Sequence, residues 1–180
     1  RHRCGYCDFA IVAGRDDLFD RYFAALGREL GRVESPLDLD TLYLGGGTPS
    51  HLGPDGLRTL FETLGAKLRP AAGAEVTLEA NPLDVTDAFV AAARDCGVTR
   101  VSLGGQSLDA ATLAALDRDH APGDVRRAVD RLGKAGLAIN VDLMTAAPGQ
   151  SVAAVERDVA AVAALGSGHV SVYCLTWEKG

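Results

Sequence analysis

An excess of positive charge is missing from this sequence. Its 180 residues hold 18 Lys and Arg against 24 Asp and Glu, a formal net charge of −6. That excludes a general nucleic-acid binder, which follows phosphates with a basic surface. No apolar run approaches the length of a membrane span, and no secretory signal is visible at the start. Cysteine is scarce: four residues, at 4, 7, 96 and 174. One close pair and two isolated thiols do not form a disulfide framework. They suit a reducing, cytoplasmic setting, with Cys96 and Cys174 as small apolar core residues. His2, His51, His120 and His169 form neither H-x3-H nor H-E-x2-H spacing, which argues against a His-based metal site. G-x-S-x-G and G-x4-G-K-[ST] are missing too, which removes the serine-elbow hydrolases and the P-loop phosphate binders. No linker, low-complexity stretch or strong repeat divides the chain, and Pro70 to Gly73 reads as an ordinary helix-to-strand turn. One domain over residues 1–180 is expected.

What is present alternates. Thr41–Leu44, Val76–Leu78, Val101–Leu103, Ala138–Leu143 and His169–Tyr173 are short runs of apolar and β-branched residues bounded by turn residues, and read as buried strands. Helical spacing lies between them. Leu18, Phe19, Tyr22, Phe23, Leu26 and Leu30 fall on one helix face, as do Leu57, Leu60, Phe61, Leu64 and Leu68. Val125, Ala128, Val129 and Leu132 mark another helix, and Val152, Val155, Val159 and Val162 one more. Thr86 is a predicted N-cap and Gly97 a predicted C-terminal stop. Strand starts recur about every 25–38 residues, the period of βα units on a parallel sheet.

In such a sheet, chemistry gathers where strands end and loops begin. The first strand runs into Gly45-Gly46-Gly47-Thr48-Pro49. Glycine permits positive φ and close approach of backbone to a ligand, and N–H and C=O groups there can meet a carboxylate or an ammonium. The second strand ends in Glu79-Ala80-Asn81-Pro82, where the carboxylate suits an amine, a ribose hydroxyl or a salt bridge inside a barrel. The third ends in Gly104-Gly105-Gln106-Ser107, whose Gln106 both donates and accepts. Arg118 follows about one helix later, within reach of a carboxylate or solvated at a helix end. Asp142 lies between Val141 and Leu143, a position where a carboxylate needs a partner and a ligand contact is expected. Pro148-Gly149-Gln150 forms the loop behind it. Near the start, Cys4-Gly5-Tyr6-Cys7 is a C-x2-C pair open to three chemistries: zinc, a redox disulfide or an iron–sulfur cluster.

Taken in order, these motifs resemble the radical S-adenosylmethionine superfamily. The series is the cysteine loop, GGGTP, E-x-N-P, G-x-Q-S, L-x-R-x-H and D-L followed by P-G-Q. It is most similar to the branch of oxygen-independent coproporphyrinogen oxidases and their heme-chaperone (HemW-type) relatives. The resemblance implies an α/β fold: a partial (β/α)6 TIM-like barrel lacking its first strand and its C-terminal region. It implies a C-x3-C-x2-C loop with Cys4 and Cys7 as second and third ligands of a [4Fe-4S] cluster, the first ligand lying just before Arg1. Two thiolates alone are expected to hold the cluster poorly. Tyr6 is implied to cover the cluster or adenine. Gly46, Gly47 and Thr48 are implied on the amino-group side of S-adenosylmethionine, and Glu79, Gln106, Arg118 and Asp142 at one or a second cofactor molecule. In the family, the cluster supplies an electron that cleaves the sulfonium to a 5′-deoxyadenosyl radical. Asp8-Phe9 after Cys7, in place of a further Cys, points to the chaperone-like subgroup. Gly105 stands where the branch usually has Val, and Thr145-Ala146-Ala147-Pro148 where Gly-Leu-Pro is commoner. The implied partners are heme or porphyrin, an electron donor such as flavodoxin or ferredoxin, and heme-receiving proteins. The competing expectations are a coproporphyrinogen oxidase that decarboxylates propionates, and a zinc or redox C-x2-C protein.

Overall fold

The computed structural model describes residues 4–7, 9 and 12–176. His2, Asp8 and the position expected to hold the first cluster ligand lie outside the described residues. The elements follow the predicted alternation: α1 (Phe19–Leu30), β1 (Leu37–Leu44), α2 (Gly53–Gly65), β2 (Leu68–Ala80), α3 (Asp87–Asp95), β3 (Arg100–Gln106), α4 (Ala110–Ala115), α5 (Pro122–Lys134), β4 (Ala138–Thr145), α6 (Val152–Ala164) and β5 (His169–Cys174). All neighbouring strands pair in parallel and in sequence order. The sheet curls into a half-barrel of the partial TIM-like kind. Parallel neighbours need a crossover, and the helices supply it on the convex side.

Alternation along the strands explains why the helices sit there. Val76, Leu78 and Ala80 of β2, Val101 and Leu103 of β3, and Ile139, Val141 and Leu143 of β4 all point one way. They form one core with Leu57 of α2, Phe89 and Val90 of α3, Val125, Val129 and Leu132 of α5, and Val162 of α6. Each fully buried aliphatic side chain there contributes about 1.5–3 kcal/mol. The residues between them are Thr77 and Glu79, Arg100 and Ser102, Asn140 and Asp142, and His169 and Ser171. With a period of two, these line the concave face. The strands are therefore apolar toward the helices and polar toward the barrel interior.

The predicted caps are present. Thr86 Oγ1 accepts from Phe89 N–H at 3.1 Å, and Gly97 has φ +81° just after α3. Other expectations need correction. Leu68 belongs to β2, because α2 already ends at Gly65 and β1 starts early enough to pair Leu37 with Leu68. Pro70 to Gly73 therefore lies inside β2. The turn chemistry survives as a bulge: the register shifts between Leu39 and Thr41, and Gly73 takes φ +82°. β3 starts opposite Thr77, so Pro70 has only β1 beside it and removes no bond to a second strand. Cys96 is half-buried against the core as expected. Cys174 is exposed, because β5 has a neighbour on one side only among the described residues. The short α4 has too little apolar periodicity to be read from sequence. It is set by Asp109, whose carboxylate accepts from Thr112 N–H at 2.8 Å.

Candidate functional site

The concave face carries two polar layers. The lower one, toward the amino ends of the strands, joins Glu75, Thr77, Arg100 and His169: Thr77 Oγ1 donates to Glu75 at 2.8 Å, and Arg100 Nη2 lies 3.0 Å from His169 Nδ1. The upper one runs across three strands, β3 to β5. Ser102 Oγ donates to Asp142 Oδ2 at 3.0 Å, and Asn140 Nδ2 donates to Asp142 Oδ1 at 2.7 Å and to Ser102 Oγ at 2.8 Å. Ser171 Oγ donates to Asn140 Oδ1 at 3.1 Å. Asp142 is thus a strand carboxylate held by two neutral donors of its own sheet.

Glu79 faces the glycine turn. Its Oε1 accepts from the Tyr43 hydroxyl at 2.9 Å and its Oε2 from Gly46 N–H at 3.1 Å. No salt bridge occupies it among the described residues. Gly45 is required by this approach, since a Cβ there would lie 2.5 Å from Glu79 Oε1 and 2.7 Å from the Tyr43 ring. Gly46 then takes φ +91°, and Gly47 and Thr48 follow it on the same turn. Burial, the Glu79 hydrogen bond and the charges of Glu79 and Asp142 push the Tyr43 phenol up to about 12.

The cysteine loop reaches the same end of the barrel through Arg118. Its Nη1 lies 3.1 Å from Cys4 Sγ and 3.4 Å from the Tyr6 hydroxyl, and its Nη2 donates to Gly104 C=O at 3.0 Å. Cys7 N–H donates to Cys4 C=O at 3.1 Å, closing the turn that carries both cysteines. Tyr6 packs against Leu116, Met144 and Ala147. Burial raises its phenol pKa, against the opposing pull of the Arg118 charge. Arg118 Nε is buried with no hydrogen-bond partner among the described residues. None of the four cysteines forms a disulfide. No three His, Cys, Asp or Glu side chains converge as a metal site among the described residues. Two cysteines on one turn, with an arginine on the thiol of the first, fit part of the ligand set of an iron–sulfur cluster, a thiolate-ligated anion.

Gln106 stands apart by its backbone. Leu103 pairs with Val141 and Gln106 with Leu143, so two glycines of β3 face Asp142 alone and the strand bulges. Gln106 has φ +60°, and Ser107 N–H bonds back to Gly105 C=O at 2.7 Å. That is a three-residue turn with positive φ at its centre, the strained form. The Gln106 amide makes no hydrogen bond among the described residues and lies beside Arg118 above Gly104. His120, 5 % exposed, sets Nε2 3.0 Å from Gly105 C=O, while its Nδ1 is buried without a partner among the described residues. Burial lowers its pKa, helped by the nearby Arg118 charge.

The structure therefore brings Cys4, Tyr6, Gln106 and Arg118 into one cluster. It brings Gly46 and Glu79 into a second, with Gly47 and Thr48 on the same turn and Asp142 in the adjoining strand network. Sequence reasoning missed Tyr43, Ser102, Asn140 and Ser171. A period-two count along each strand, inward from Glu79 and Asp142, finds all four. It also passed over His120, whose nearness to Arg118 was the available signal. Motif residue Asn81 and Ser50, next after the glycine turn, prove to be braces: Asn81 N–H donates to Ser50 Oγ at 3.0 Å, and Ser50 donates to Asp84 at 2.6 Å.

A βα half-barrel with paired thiols and a glycine turn at the carboxyl ends of its strands defines a class of cofactor-binding barrel. The family model described as the Radical SAM superfamily matches residues 1–162, and the chain belongs to that superfamily. Among curated relatives it is 41 % identical over 187 residues to the heme chaperone HemW of Mycobacterium tuberculosis, covering 99 % of this chain and 47 % of the relative. It is 36 % identical over 183 residues to HemW of Escherichia coli, covering 98 % and 48 %. The chain spans about half the length of these relatives. Among solved structures, coproporphyrinogen III oxidase (HemN) from Escherichia coli superposes with a TM-score of 0.89 at 23 % identity, covering 97 % of this chain and 42 % of that one. No helix among the described residues is long and apolar enough to cross a membrane.

Proposed function

We propose that this chain is the cofactor-binding core of a heme chaperone of the radical S-adenosylmethionine type, with residues 1–180 acting as one unit. The observation that carries the reading is the Arg118 bridge, which joins Cys4, Tyr6 and Gly104 at the carboxyl ends of the strands, beside Gln106. Cys4 and Cys7 would hold a [4Fe-4S] cluster, which when bound supplies electrons to the sulfonium of S-adenosylmethionine. Gly46, Gly47 and Thr48 would face the amino group of the cofactor, with Glu79 fixed by Tyr43 behind them. Gln106, Arg118 and Asp142 would bind its polar groups. Tyr6 would close the cluster off from water. The chaperone reading over the oxidase reading is supported by relatives at 32 % to 41 % identity that are heme chaperones. Heme, an electron donor such as flavodoxin or ferredoxin, and a heme-accepting protein complete the proposal.

The test is anaerobic reconstitution of the full-length protein. Expected are a cluster absorbance at about 400 nm, S-adenosylmethionine binding and stoichiometric heme. Turnover of coproporphyrinogen would replace the chaperone reading with the oxidase. Zinc, or a reversible disulfide with no cluster absorbance, would replace both with the zinc or redox pair.

A further inference from the structure

Asp158 lies on α6, away from every motif described above, yet it is only 4 % exposed. Its Oδ2 accepts from Ser107 Oγ at 2.5 Å and its Oδ1 from Leu108 N–H at 2.9 Å. A buried carboxylate is costly unless its oxygens are satisfied, and both of these bonds go to the two residues after Gln106. Ser107 Oγ also accepts from Asp109 N–H at 3.0 Å, at the cap of α4. On the other side of Gln106, His120 holds Gly105 C=O and Arg118 holds Gly104 C=O. The turn at Gln106 is thus gripped on both flanks. A residue in a sparsely populated backbone region persists only when its surroundings over-determine it. What the grip presents is the Gln106 amide, which has no hydrogen bond to any described residue and lies next to Arg118.

We infer that Asp158 is a positioning residue: through Ser107 and Leu108 it holds the strained turn that aims the Gln106 amide at the polar groups of S-adenosylmethionine. The ligand half of this inference rests on the function proposed above; the backbone half does not. Asp158 bonds to Ser107 and Leu108, neither of which is assigned to cofactor or cluster. It acts from the helix after β4 on the end of β3, coupling two βα units at the cofactor edge.

The experiment uses the full-length protein reconstituted anaerobically, with variants Asp158→Ala, Ser107→Ala, Gln106→Ala and the double variant Asp158→Ala/Gln106→Ala. Amide exchange by mass spectrometry is read over residues 105–108, and S-adenosylmethionine affinity by calorimetry. Asp158→Ala is expected to speed exchange at Ser107 and Leu108 at least tenfold, with Ser107→Ala, the milder change, in the same direction. Affinity is expected to fall about tenfold in Asp158→Ala and in Gln106→Ala, and no further in the double variant. A merely structural carboxylate would lower stability and add its effect to that of Gln106→Ala. Unchanged exchange overturns the grip. Faster exchange with unchanged affinity, or additive losses, overturns the positioning role. A wild-type protein that binds no S-adenosylmethionine overturns the proposed function and the ligand half together, and the exchange result then judges the grip alone.

Discussion

The two ends of the half-barrel handle positive φ differently. At the amino ends, where helices return to strands, the positions are glycines: Gly97, Gly136 and Gly166, with φ of +81°, +74° and +79°. A Cβ added at any of the three would meet open space, so backbone freedom alone explains them. At the carboxyl ends, Gln106, Asp117 and Ala146 take φ of +60°, +52° and +62°. Left-handed backbone costs a side-chain-bearing residue about 1–2 kcal/mol. Gly46, Gly53 and Gly149 at this end also take positive φ in open space, but Gly45 under Glu79 and Gly105 under Val141 are placed for close approach. One end is relaxed, and the other stores strain and crowding around named polar groups. That is the expected mark of a functional rim.

Gly105 offers the largest lever on this difference. A Cβ there would lie 2.8 Å from Val141 Cγ1 and 3.5 Å from Val125 Cγ1. Gly105→Val, which installs the residue usual in the resembled branch, should destabilise by about 1–3 kcal/mol. Val141→Ala should recover part of it in the same chain. Urea unfolding of the four members of this cycle checks the coupling. Additive effects would show that the crowding is not between these two residues.

Gly45 and Gly136 separate the two ends directly. Gly45→Ala must displace Glu79 or Tyr43, so it should cost about 1.5 kcal/mol of the charge-assisted contact and about tenfold in S-adenosylmethionine affinity. Gly136→Ala should cost about 1–2 kcal/mol of stability and leave affinity unchanged. Denaturation and calorimetry on both variants test the contrast; equal affinity losses would erase it.

Much of this was legible from particular residues. The strands, Thr86 and Gly97 followed from local chemistry, and the motif order carried the cysteine loop, the glycine turn and the strand-end polar residues. The inner polar layers were not, because Ser102, Asn140 and Ser171 look ordinary until five strands are set side by side. The strain at Gln106 was invisible because it is imposed by His120 and Asp158, 14 and 52 positions away in the sequence. β2 misled for a related reason: Pro70 and Gly73 signal a turn locally, and pairing with β1 keeps the flanks extended.

His120 extends the comparison to pH. Its folded pKa is lowered, first by burial and then by Arg118, with the Gly105 hydrogen bond, Asp119 and Asp124 opposing. A base with a depressed folded pKa contributes stability that is complete above its unfolded value of about 6.5 and is lost as pH falls through that range. Protonation would put a charge on a buried ring whose Nδ1 has no acceptor among the described residues. Stability should therefore decline on acidification below about pH 6.5, with faster amide exchange at residues 105–108. His120→Gln should flatten that slope. The reverse slope would place the imidazolium, not the neutral ring, in the folded state.

Tyr43 gives the smallest effect and the finest probe of the rim. Its phenol is raised to about 12 by burial, then by the Glu79 hydrogen bond and the charges of Glu79 and Asp142, with Ser102 opposing. For an acid with a raised folded pKa, stability is complete below the unfolded value of about 10 and is lost as pH rises through the folded value. Tyr43 is 56 % exposed, so solvent screening keeps the energy small. The informative quantity is the titration itself. Phenolate absorbance of the wild type minus that of Tyr43→Phe should show one ionisation near pH 12, and Glu79→Gln should move it down by removing the carboxylate charge. A difference titration centred near 10 would mean that Tyr43 and Glu79 are not coupled. The glycine turn would then lose the brace that sets it apart from the relaxed turns at the opposite end.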